Sequence, residues 1–267
     1  MLRVAVIGNG HWGKILSDSI GKIQQMKLVG IYTREYKSLD LDSIDAVMIA
    51  TPDDTHEEIA LYFIENKKDV FLEKPATGSS TKLMNIMNAQ RDQIVVVDDV
   101  FKHTDAFSRL KRSIRTPRLI STDRYNVERR PVDEAPIKTL MYHDLYLVDS
   151  LVGSIDSAEI IGLEQDTDMV GITIKIGETI VEMAAAYGFE KTRSMRIEND
   201  SEQIYWDQKS GKLRIEKKSD LTEIFEHEEP VVTMLKDFCF NVKNRESNTA
   251  QAIRVLKFIE RVSSEKL

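Results

Sequence analysis

The hydrophobic pattern of the first hundred residues alternates between the periods of strands and helices. Short apolar, β-branched runs predict five strands, at residues 3–7, 27–33, 45–50, 69–72 and 94–97. Helical spacing of apolar residues follows the first, third and fourth of these runs. Strands that alternate with helices and read as nearly continuous apolar runs are typical of a parallel sheet covered on both faces, so we predict a doubly wound α/β domain.

From residue 118 onward the pattern changes to longer runs with strand character. Seven such runs lie at residues 119–127, 156–163, 170–176, 179–187, 193–197, 203–207 and 212–217, several of them separated by turn signals. Helical spacing at about 138–152 and 230–263 predicts one helix before most of these strands and one or two at the end. We therefore expect an α/β domain at 1–116 and an α+β domain with a mostly antiparallel sheet at 117–267, whose last helix is free to pack back on the first domain.

Composition and charge limit the classes of partner. The chain has 267 residues, of which 42% are hydrophobic and 30% charged, as in an ordinary folded globular protein. Lys and Arg number 37 and Asp and Glu 44, and the net charge of −7 disfavours nucleic acid as a partner. The single cysteine, Cys239, cannot form an intrachain disulfide, so we expect a buried thiol in a reducing compartment. With no apolar stretch of the roughly 20 residues that a membrane span needs, a cytoplasmic protein is predicted.

A glycine-rich turn lies between the first predicted strand and the helix after it. It reads Gly8-Asn9-Gly10-His11-Trp12-Gly13, a complete G-x-G-x-x-G pattern. In this context the first glycine permits a tight turn, the second lets a pyrophosphate approach the backbone, and the third allows the helix to pack closely on the strand. The turn predicts a dinucleotide-binding Rossmann domain, with adenosyl-methionine binding or purely structural glycines as alternatives. His11 and Trp12 are expected to line or cover the loop.

The end of the second predicted strand bears on the choice of dinucleotide. An acidic residue that binds the ribose hydroxyls is expected there, but the position is Thr33 and Arg34 follows. Because a guanidinium can bind a 2′-phosphate, this favours NADP over NAD. Glu35 keeps NAD open, and solvated turn residues are the plainer interpretation. Only residues 34–44 lead to the third strand, so any helix there is expected to span about one turn.

Two further motifs follow the third and fourth predicted strands. The third run ends in Ala50-Thr51-Pro52, which His56 follows, and the fourth ends in Glu73-Lys74-Pro75. Both motifs therefore lie at the carboxyl edge of the predicted sheet, where open α/β folds bind their ligands.

Together with the glycine-rich turn, with His143 ten residues before Gly153 and with Asn248 near the start of the closing helix, these motifs resemble those of the glucose-fructose oxidoreductase, inositol dehydrogenase and rhizopine catabolism family of NAD(P)-dependent dehydrogenases. The resemblance covers nearly the whole chain. It implies NADP or NAD as the cofactor, with cofactor contacts from the turn at 8–13, Thr33, Arg34, Ala50, Thr51, Pro52, His56, Glu73, Lys74 and Pro75. It also implies a homodimer or homotetramer that forms through the sheet of the second domain.

The resemblance assigns roles to further residues. Lys74 matches the catalytic lysine of the family, and Pro75 matches the proline that shapes its loop. Lys102 stands in a stretch that usually contains an arginine, and we expect it to bind substrate. His143 matches the histidine of the family's D-x-x-x-H-x-x-D helix, which implies both catalysis and substrate binding.

Physical chemistry supports the roles of Lys74 and His143. Hydride transfer at a carbinol carbon requires a proton to move on its oxygen, and a partly desolvated lysine can hydrogen-bond that oxygen while its pKa shifts toward neutrality. His143 is the other natural acid or base near pH 7. The plainer interpretations are a solvated lysine at a strand end and a satisfied core histidine.

The helix around His143 departs from the family pattern. Thr139 and Tyr146 replace the usual aspartates, and on one continuous helix both would lie on the same side as His143. We therefore expect Thr139 to contact substrate and the Tyr146 hydroxyl to donate a proton or hydrogen bond to it. Arg124, or Arg129 or Arg130, is a further candidate for binding a substrate carboxylate or phosphate, although a solvated strand edge explains these arginines equally well.

The sequence predicts no metal site, because the five histidines (11, 56, 103, 143 and 227) show no ligand spacing with cysteines or carboxylates. The expected function is hydride transfer between a nicotinamide and a secondary alcohol or carbonyl of a small, sugar-like substrate. The alternative is a regulatory protein that senses the cofactor without turnover. A methyltransferase with the same glycine turn would give no reason for the Glu-Lys-Pro motif.

Overall fold

The chain divides into two compact units in the computed structural model, which describes residues 1–97, 99–113, 116–130, 135–217, 220–225 and 229–265. The first unit comprises Met1–His103 with Glu228–Leu256, and the second comprises Thr104–His227 with Lys257–Leu267. The chain therefore leaves the first unit after His103, returns to it over residues 228–256, and ends in the second unit. This division falls before the sequence-based boundary at 116–117.

The described elements follow in chain order. They are β1 (Leu2–Ile7), α1 (His11–Ile20), β2 (Met26–Tyr32), β3 (Ala46–Ile49), α2 (His56–Glu65), β4 (Asp69–Leu72), α3 (Ser80–Ala89), β5 (Val95–Val97), α4 (Asp105–Ser113), β6 (Leu119–Asn126), α5 (Pro136–Thr139), α6 (Met141–Val152), β7 (Glu159–Gln165), β8 (Met169–Ile176), β9 (Thr179–Tyr187), β10 (Thr192–Glu198), β11 (Glu202–Asp207), β12 (Lys212–Lys217), β13 (Asp220–Phe225), α7 (Pro230–Asn244) and α8 (Thr249–Ser264).

The first unit contains the predicted parallel sheet, with the strand order β2-β1-β3-β4-β5. Every residue of β3, β4 and β5 is buried, as expected for strands covered on both faces. α7 returns to this core, where Phe238 contacts Phe71 edge-on with ring centroids 5.6 Å apart. The short link before β3 contains two single 3₁₀ turns, Tyr36–Ser38 and Leu41–Ser43, so the expected one-turn helix is matched in length.

Side chains cover part of the outer edge of the first sheet at β5. Ser247 Oγ accepts a hydrogen bond from the Val95 N–H at 3.0 Å, and Asn248 Oδ1 accepts one from the Val97 N–H at 2.7 Å. Because an uncovered edge strand offers its N–H groups to other chains, these bonds give the polar segment before α8 a structural role.

The second unit contains an eight-stranded sheet in the order β13-β12-β11-β10-β6-β9-β8-β7. All of its strand pairs are antiparallel except β6 with β9, so the predicted mostly antiparallel sheet is confirmed. Alternate residues of β6, including Ile120 and Arg124, are buried on the face toward α6. The opposite face carries Ser121, Asp123 and, from β11, the half-exposed Tyr205.

Four details differ from the sequence-based expectations. The helix expected at 138–152 is two helices, α5 and α6, which Leu140 separates. α4 and β13 were not predicted, and α4 has only three buried apolar residues, Ala106, Phe107 and Leu110, in an otherwise polar segment. Cys239 on α7 is half-buried rather than buried. His227 lies outside the described residues.

Candidate active site

The carboxyl ends of the parallel strands lie at one level of the first sheet. Ile7 at the end of β1 pairs with Tyr32 on one side and with Ile49 on the other, and Ile49 pairs with Leu72. Backbone bonds continue this register beyond the strands, since Gly8 donates to Tyr32 at 2.8 Å and Glu73 donates to Ile49 at 2.9 Å. The glycine turn and the loops after β2, β3 and β4 therefore start from the same edge.

The three glycines of the turn have three different surroundings. At Gly8, with φ at +119°, a Cβ would lie 2.4 Å from the Ala50 carbonyl oxygen, and at Gly13 it would lie 2.1 Å from the Gly8 carbonyl oxygen. Both positions therefore require glycine for backbone packing. At Gly10 a Cβ would meet no described atom within 4 Å. This open approach to the backbone fits a pyrophosphate at the turn.

The turn lies on a cavity of about 730 Å³, within the usual size range for small-molecule sites. α1 begins beside it with Gly10 at the N-cap, and no side chain caps its first N–H groups, so they are suited to an anion. The lining residues are Gly8, Asn9, Gly10, His11, Trp12, Thr33, Arg34, Tyr36, Ala50, Thr51, Pro52, Thr55, Glu58 and Ile59. The residues of this unit thus fit a dinucleotide.

A carboxylate reaches the end of β2 from two residues downstream. Glu35 accepts hydrogen bonds from the Thr33 amide at 3.1 Å and from the Thr33 hydroxyl at 2.7 Å. The Thr33 hydroxyl is the main cause that lowers the pKa of Glu35. Arg34, exposed between them, lines the cavity. Both an acidic and a basic group are therefore present where the ribose of a dinucleotide binds.

Four residues that line the cavity were not predicted from the sequence as site residues: Tyr36, Thr55, Glu58 and Ile59. Glu58 accepts hydrogen bonds from the Tyr36 hydroxyl and from Lys37 Nζ, each at 3.1 Å. Tyr36 comes from the short link after β2, and Thr55, Glu58 and Ile59 come from the start of α2 and the residue before it. Their position just beyond two recognisable motifs is the one signal that could have identified them.

His56 follows the Ala-Thr-Pro motif but does not line the cavity. It is 1% exposed and its two ring nitrogens face carbonyl oxygens, Nε2 that of Thr51 at 2.8 Å and Nδ1 that of Ala76 at 3.0 Å. The expected direct contact with cofactor is therefore not supported for His56, whose ring is used to connect two loops.

The Glu73-Lys74-Pro75 loop follows β4, and all three residues are half-buried. The peptide bond before Pro75 is cis. Burial raises the pKa of Glu73 to about 7, helped by the charge of Asp99 and opposed by that of Lys74. This loop is not part of the cavity lining, but β4 lies two strands from β1, which is about 10 Å at the usual strand spacing.

Lys102 lies in the 3₁₀ turn after β5 and is half-buried. Its ammonium donates to Gln251 Oε1 of α8 at 3.3 Å. Substrate binding by Lys102 stays a prediction.

In the second unit, α6 presents His143 differently from its neighbours. From Met141 to Asp149 every residue except His143 is buried, so His143 is the half-exposed position on this part of the helix. Tyr146 is fully buried and stacks on Tyr142 with ring centroids 6.0 Å apart. A phenol in this position is closed to substrate, so we do not retain Tyr146 as a proton donor.

Thr139 and Arg124 are also used differently from their predicted substrate-binding roles. Thr139 belongs to α5, beyond the break at Leu140, and its hydroxyl oxygen accepts a hydrogen bond from Tyr187 at 2.8 Å. The buried Arg124 forms two hydrogen bonds of 2.8 Å with Asp144. A guanidinium paired in this way is part of the interior, so the substrate clamp is withdrawn for Arg124.

Within the described residues, no group of three or more His, Cys, Asp or Glu side chains is arranged to hold a metal ion. The same residues include no helix with the length and apolar character of a membrane span.

Several known proteins are similar to this chain. UDP-N-acetylglucosamine 3-dehydrogenase from Acidithiobacillus ferrooxidans is 25% identical over 223 residues, which cover 73% of this chain and 71% of the relative. The scyllo-inositol 2-dehydrogenase (NADP(+)) of Bacillus subtilis is 26% identical over 136 residues, which cover 43% of this chain and 42% of the relative.

Solved structures share the fold over almost the full length. The Acidithiobacillus enzyme superimposes with a TM-score of 0.86 at 20% identity, covering 98% of this chain and 96% of the other. A 3-ketoreductase from Actinomadura kijaniata, in complex with TDP-benzene and NADP, gives a TM-score of 0.84 at 13% identity and covers 98% and 97%.

A family model described as "Oxidoreductase family, NAD-binding Rossmann fold" matches residues 33–98, the part of the chain that contains both the Ala-Thr-Pro and the Glu-Lys-Pro motifs. Together with the sheet order, the glycine turn and the relatives, this match confirms the predicted resemblance to the family of glucose-fructose oxidoreductase, inositol dehydrogenase and rhizopine catabolism proteins, and the first unit has the NAD-binding Rossmann fold.

Proposed function

We propose that the chain is an NAD(P)-dependent oxidoreductase that acts on a secondary alcohol, or on the matching carbonyl, of a small sugar-like molecule. The observation that carries the proposal is the shared sheet edge from which both the open glycine turn and the Lys74 loop start. The relatives named for UDP-N-acetylglucosamine and scyllo-inositol support the substrate class.

The turn and the uncapped start of α1 bind the pyrophosphate, and the loop after β2 binds the adenosine ribose. When bound, the nicotinamide would accept or donate the hydride at its ring carbon. Lys74 donates a hydrogen bond to the oxygen on the reacting carbon and so polarises it, since a half-buried ammonium is positioned by its loop rather than fully hydrated. For His143, the half-exposed residue of α6, we propose the role of an acid or base, since its side chain titrates near neutral pH.

Of the two dinucleotides, we propose NADP rather than NAD as the cofactor. Arg34 lines the cavity and is exposed, and it makes no hydrogen bond or ion pair with a described residue. Glu35 opposes this preference with a carboxylate at the end of β2. The NADP-dependent relative from Bacillus subtilis supports the same choice.

The test is turnover measured by nicotinamide absorbance, with NADP and NAD, against a panel of nucleotide sugars, inositols, other polyols and keto acids. Lys74→Ala should reduce kcat at least about 100-fold, the usual contribution of a general acid or base, while leaving nucleotide affinity nearly unchanged. Lys27→Ala, which removes an exposed lysine of β2, is the matched control. Equal turnover in both variants would exclude the proposed role of Lys74.

The internal contacts of Thr139 and Tyr146 favour one alternative, a regulatory protein that binds the cofactor without turnover. It predicts that the protein binds NADPH with a measurable dissociation constant but turns over no substrate of the panel.

We also propose a cytoplasmic homodimer or homotetramer that associates through the sheet face of Ser121, Asp123 and Tyr205. Sedimentation of the Tyr205→Arg variant tests it, since this change should increase the monomer fraction.

A further inference from the structure

A single side chain connects two loops of the candidate site. His56 begins α2 with its ring fully enclosed, and its nitrogens contact the carbonyl oxygens of Thr51 at 2.8 Å and of Ala76 at 3.0 Å. Thr51 is in the loop after β3 and lines the nucleotide cavity, whereas Ala76 lies two residues after Lys74 in the loop after β4. The imidazole of His56 therefore contacts both the loop that lines the nucleotide cavity and the loop that contains Lys74.

The segment on the Thr51 side is itself held together. The Thr55 hydroxyl lies 2.8 Å from the Thr51 hydroxyl and 2.7 Å from the Pro52 carbonyl oxygen. The two loops also approach at a second point, because Asp53 Oδ2 is 3.7 Å from the position that a Cβ would take at Gly78. A displacement of the Thr51 loop is thus resisted locally and reaches the neighbouring loop through His56.

The hydrogen count of the ring explains why this contact is difficult to replace. Both partners are carbonyl oxygens, which only accept, whereas a neutral imidazole donates from one nitrogen and an imidazolium donates from both. Burial lowers the pKa of His56, although the carbonyls of Thr51 and Ala76 and the charge of Asp53 act in the opposite direction. Removal of the ring takes the donor from at least one of these carbonyls, and leaving a buried acceptor such as the Ala76 carbonyl without a donor is costly.

We propose that His56 is a positioning residue that couples nucleotide binding in the cavity to the placement of Lys74. The proposal rests on the proposed function, in which Lys74 contacts the reacting oxygen. A nucleotide that presses against Thr51 and Pro52 fixes the loop after β3, and the two N···O contacts of His56 then fix the start of the segment after Pro75. His56 does this without being part of the cavity lining.

Hydrogen exchange measured by mass spectrometry, without and with NADPH, tests the coupling in the full-length protein. In the wild type, NADPH should slow exchange in peptides covering residues 8–13 and also in peptides covering 73–79. In His56→Leu the protection of 8–13 should remain, while the protection of 73–79 should fall about five-fold, as for one lost hydrogen bond. His56→Gln, which keeps an N–H donor, should restore part of the protection.

Asn66→Leu is the matched control, because Asn66 donates from its side chain to the Tyr62 carbonyl at the far end of the same helix and touches neither loop. It should leave both peptides unchanged. Equal NADPH protection of 73–79 in His56→Leu and the wild type would overturn the coupling. Loss of protection in both peptides without rescue by His56→Gln would also overturn it, because this result describes general destabilisation.

Failure of the proposed function gives a different result. If wild-type protein does not change NADPH fluorescence, the dehydrogenase proposal fails. The contact of His56 with the two loops is then tested without ligand: His56→Leu should speed hydrogen exchange at residues 73–79 more than Asn66→Leu does. Should His56→Leu not fold, nitrogen-15 spectra of the wild-type ring give the answer. A slowly exchanging ring N–H supports the connection, and exchange as fast as in a solvated histidine contradicts it.

Discussion

The two units of the chain differ in how their predicted site residues are used. In the first unit residues 8–12 of the glycine turn, Thr33, Arg34 and the Ala-Thr-Pro residues line one cavity, whereas His56 and the Lys74 loop lie outside its lining. In the second unit Arg124 and Tyr146 are buried, and the hydroxyl of the half-exposed Thr139 is bonded to Tyr187. His143 is the half-exposed residue within the buried part of α6.

The difference has a physical origin. A dinucleotide is bound mainly by backbone groups, and the glycines that allow this are recognisable because a Cβ at Gly8 or Gly13 would collide with the backbone. A substrate site is built from side chains, and an arginine, threonine or tyrosine can equally well stabilise the interior. The first unit is therefore the one in which a motif determines function directly.

The largest expected effect tests whether Arg124 is structural. Arg124→Met removes two hydrogen bonds and a paired positive charge from the buried Asp144 carboxylate, so the free energy of unfolding should fall by about 3–5 kcal/mol in urea titration. Replacing both residues, Arg124→Met with Asp144→Leu, should recover most of the loss because the buried carboxylate is removed together with the guanidinium that it pairs with. If Arg124→Met keeps wild-type stability and loses only substrate affinity, the clamp that we withdrew would be restored.

The next effect separates two glycines of one turn. Gly13→Ala places a methyl group 2.1 Å from the Gly8 carbonyl oxygen, so we expect about 1–3 kcal/mol of destabilisation and weaker binding of NADPH. Gly10→Ala meets no described atom and should change stability by less than about 0.5 kcal/mol while still weakening NADPH binding. Urea unfolding and fluorescence titration of both variants check this. Equal stability of the two would contradict the different roles.

The sequence was sufficient for the sheet of the first unit because strands buried on both faces carry a strong apolar signal, as at β4. It was also sufficient for the glycine turn and for the position of Lys74 after β4. The break at Leu140 was not predictable, since helical spacing continues across it and a backbone change at one residue has no compositional sign.

The hydrogen-bond partners of individual polar side chains were harder to predict from the sequence. His56 was expected at the cofactor, but its partners are the backbone carbonyls of Thr51 and Ala76, which no residue pattern encodes. Glu35 was treated as a turn residue with a possible link to NAD, and its return to Thr33 depends on the backbone of that turn. Such contacts require the tertiary structure.

A smaller effect concerns the ribose end of the cavity. Glu35→Gln removes the carboxylate charge at the end of β2, so the ratio of NADP to NAD affinity should rise about ten-fold. Arg34→Ala should lower that ratio by a similar factor, and the Lys27→Ala control should leave it unchanged. Fluorescence titration with NADPH and NADH at fixed salt measures the ratio. Opposite shifts would exclude Arg34 as the group that binds the 2′-phosphate.

The smallest effect is a pH dependence of stability that originates at Glu73. Its pKa is about 7 in the folded chain and 4.5 for the ordinary carboxyl, so the folded state binds more protons between these values and the free energy of unfolding falls as pH rises through that window. Because Glu73 is half-buried, we expect about 1 kcal/mol between pH 5 and 7 rather than the full value for such a shift. His56, whose pKa is lowered, acts in the opposite direction below its ordinary pKa of 6.5, so the quantity to measure is the difference between wild type and Glu73→Gln in urea at pH 5, 6 and 7. That difference should decline with pH, whereas Glu65→Gln at an exposed position should give none, and a difference that rises with pH would show that Glu73 is ionised in the folded protein.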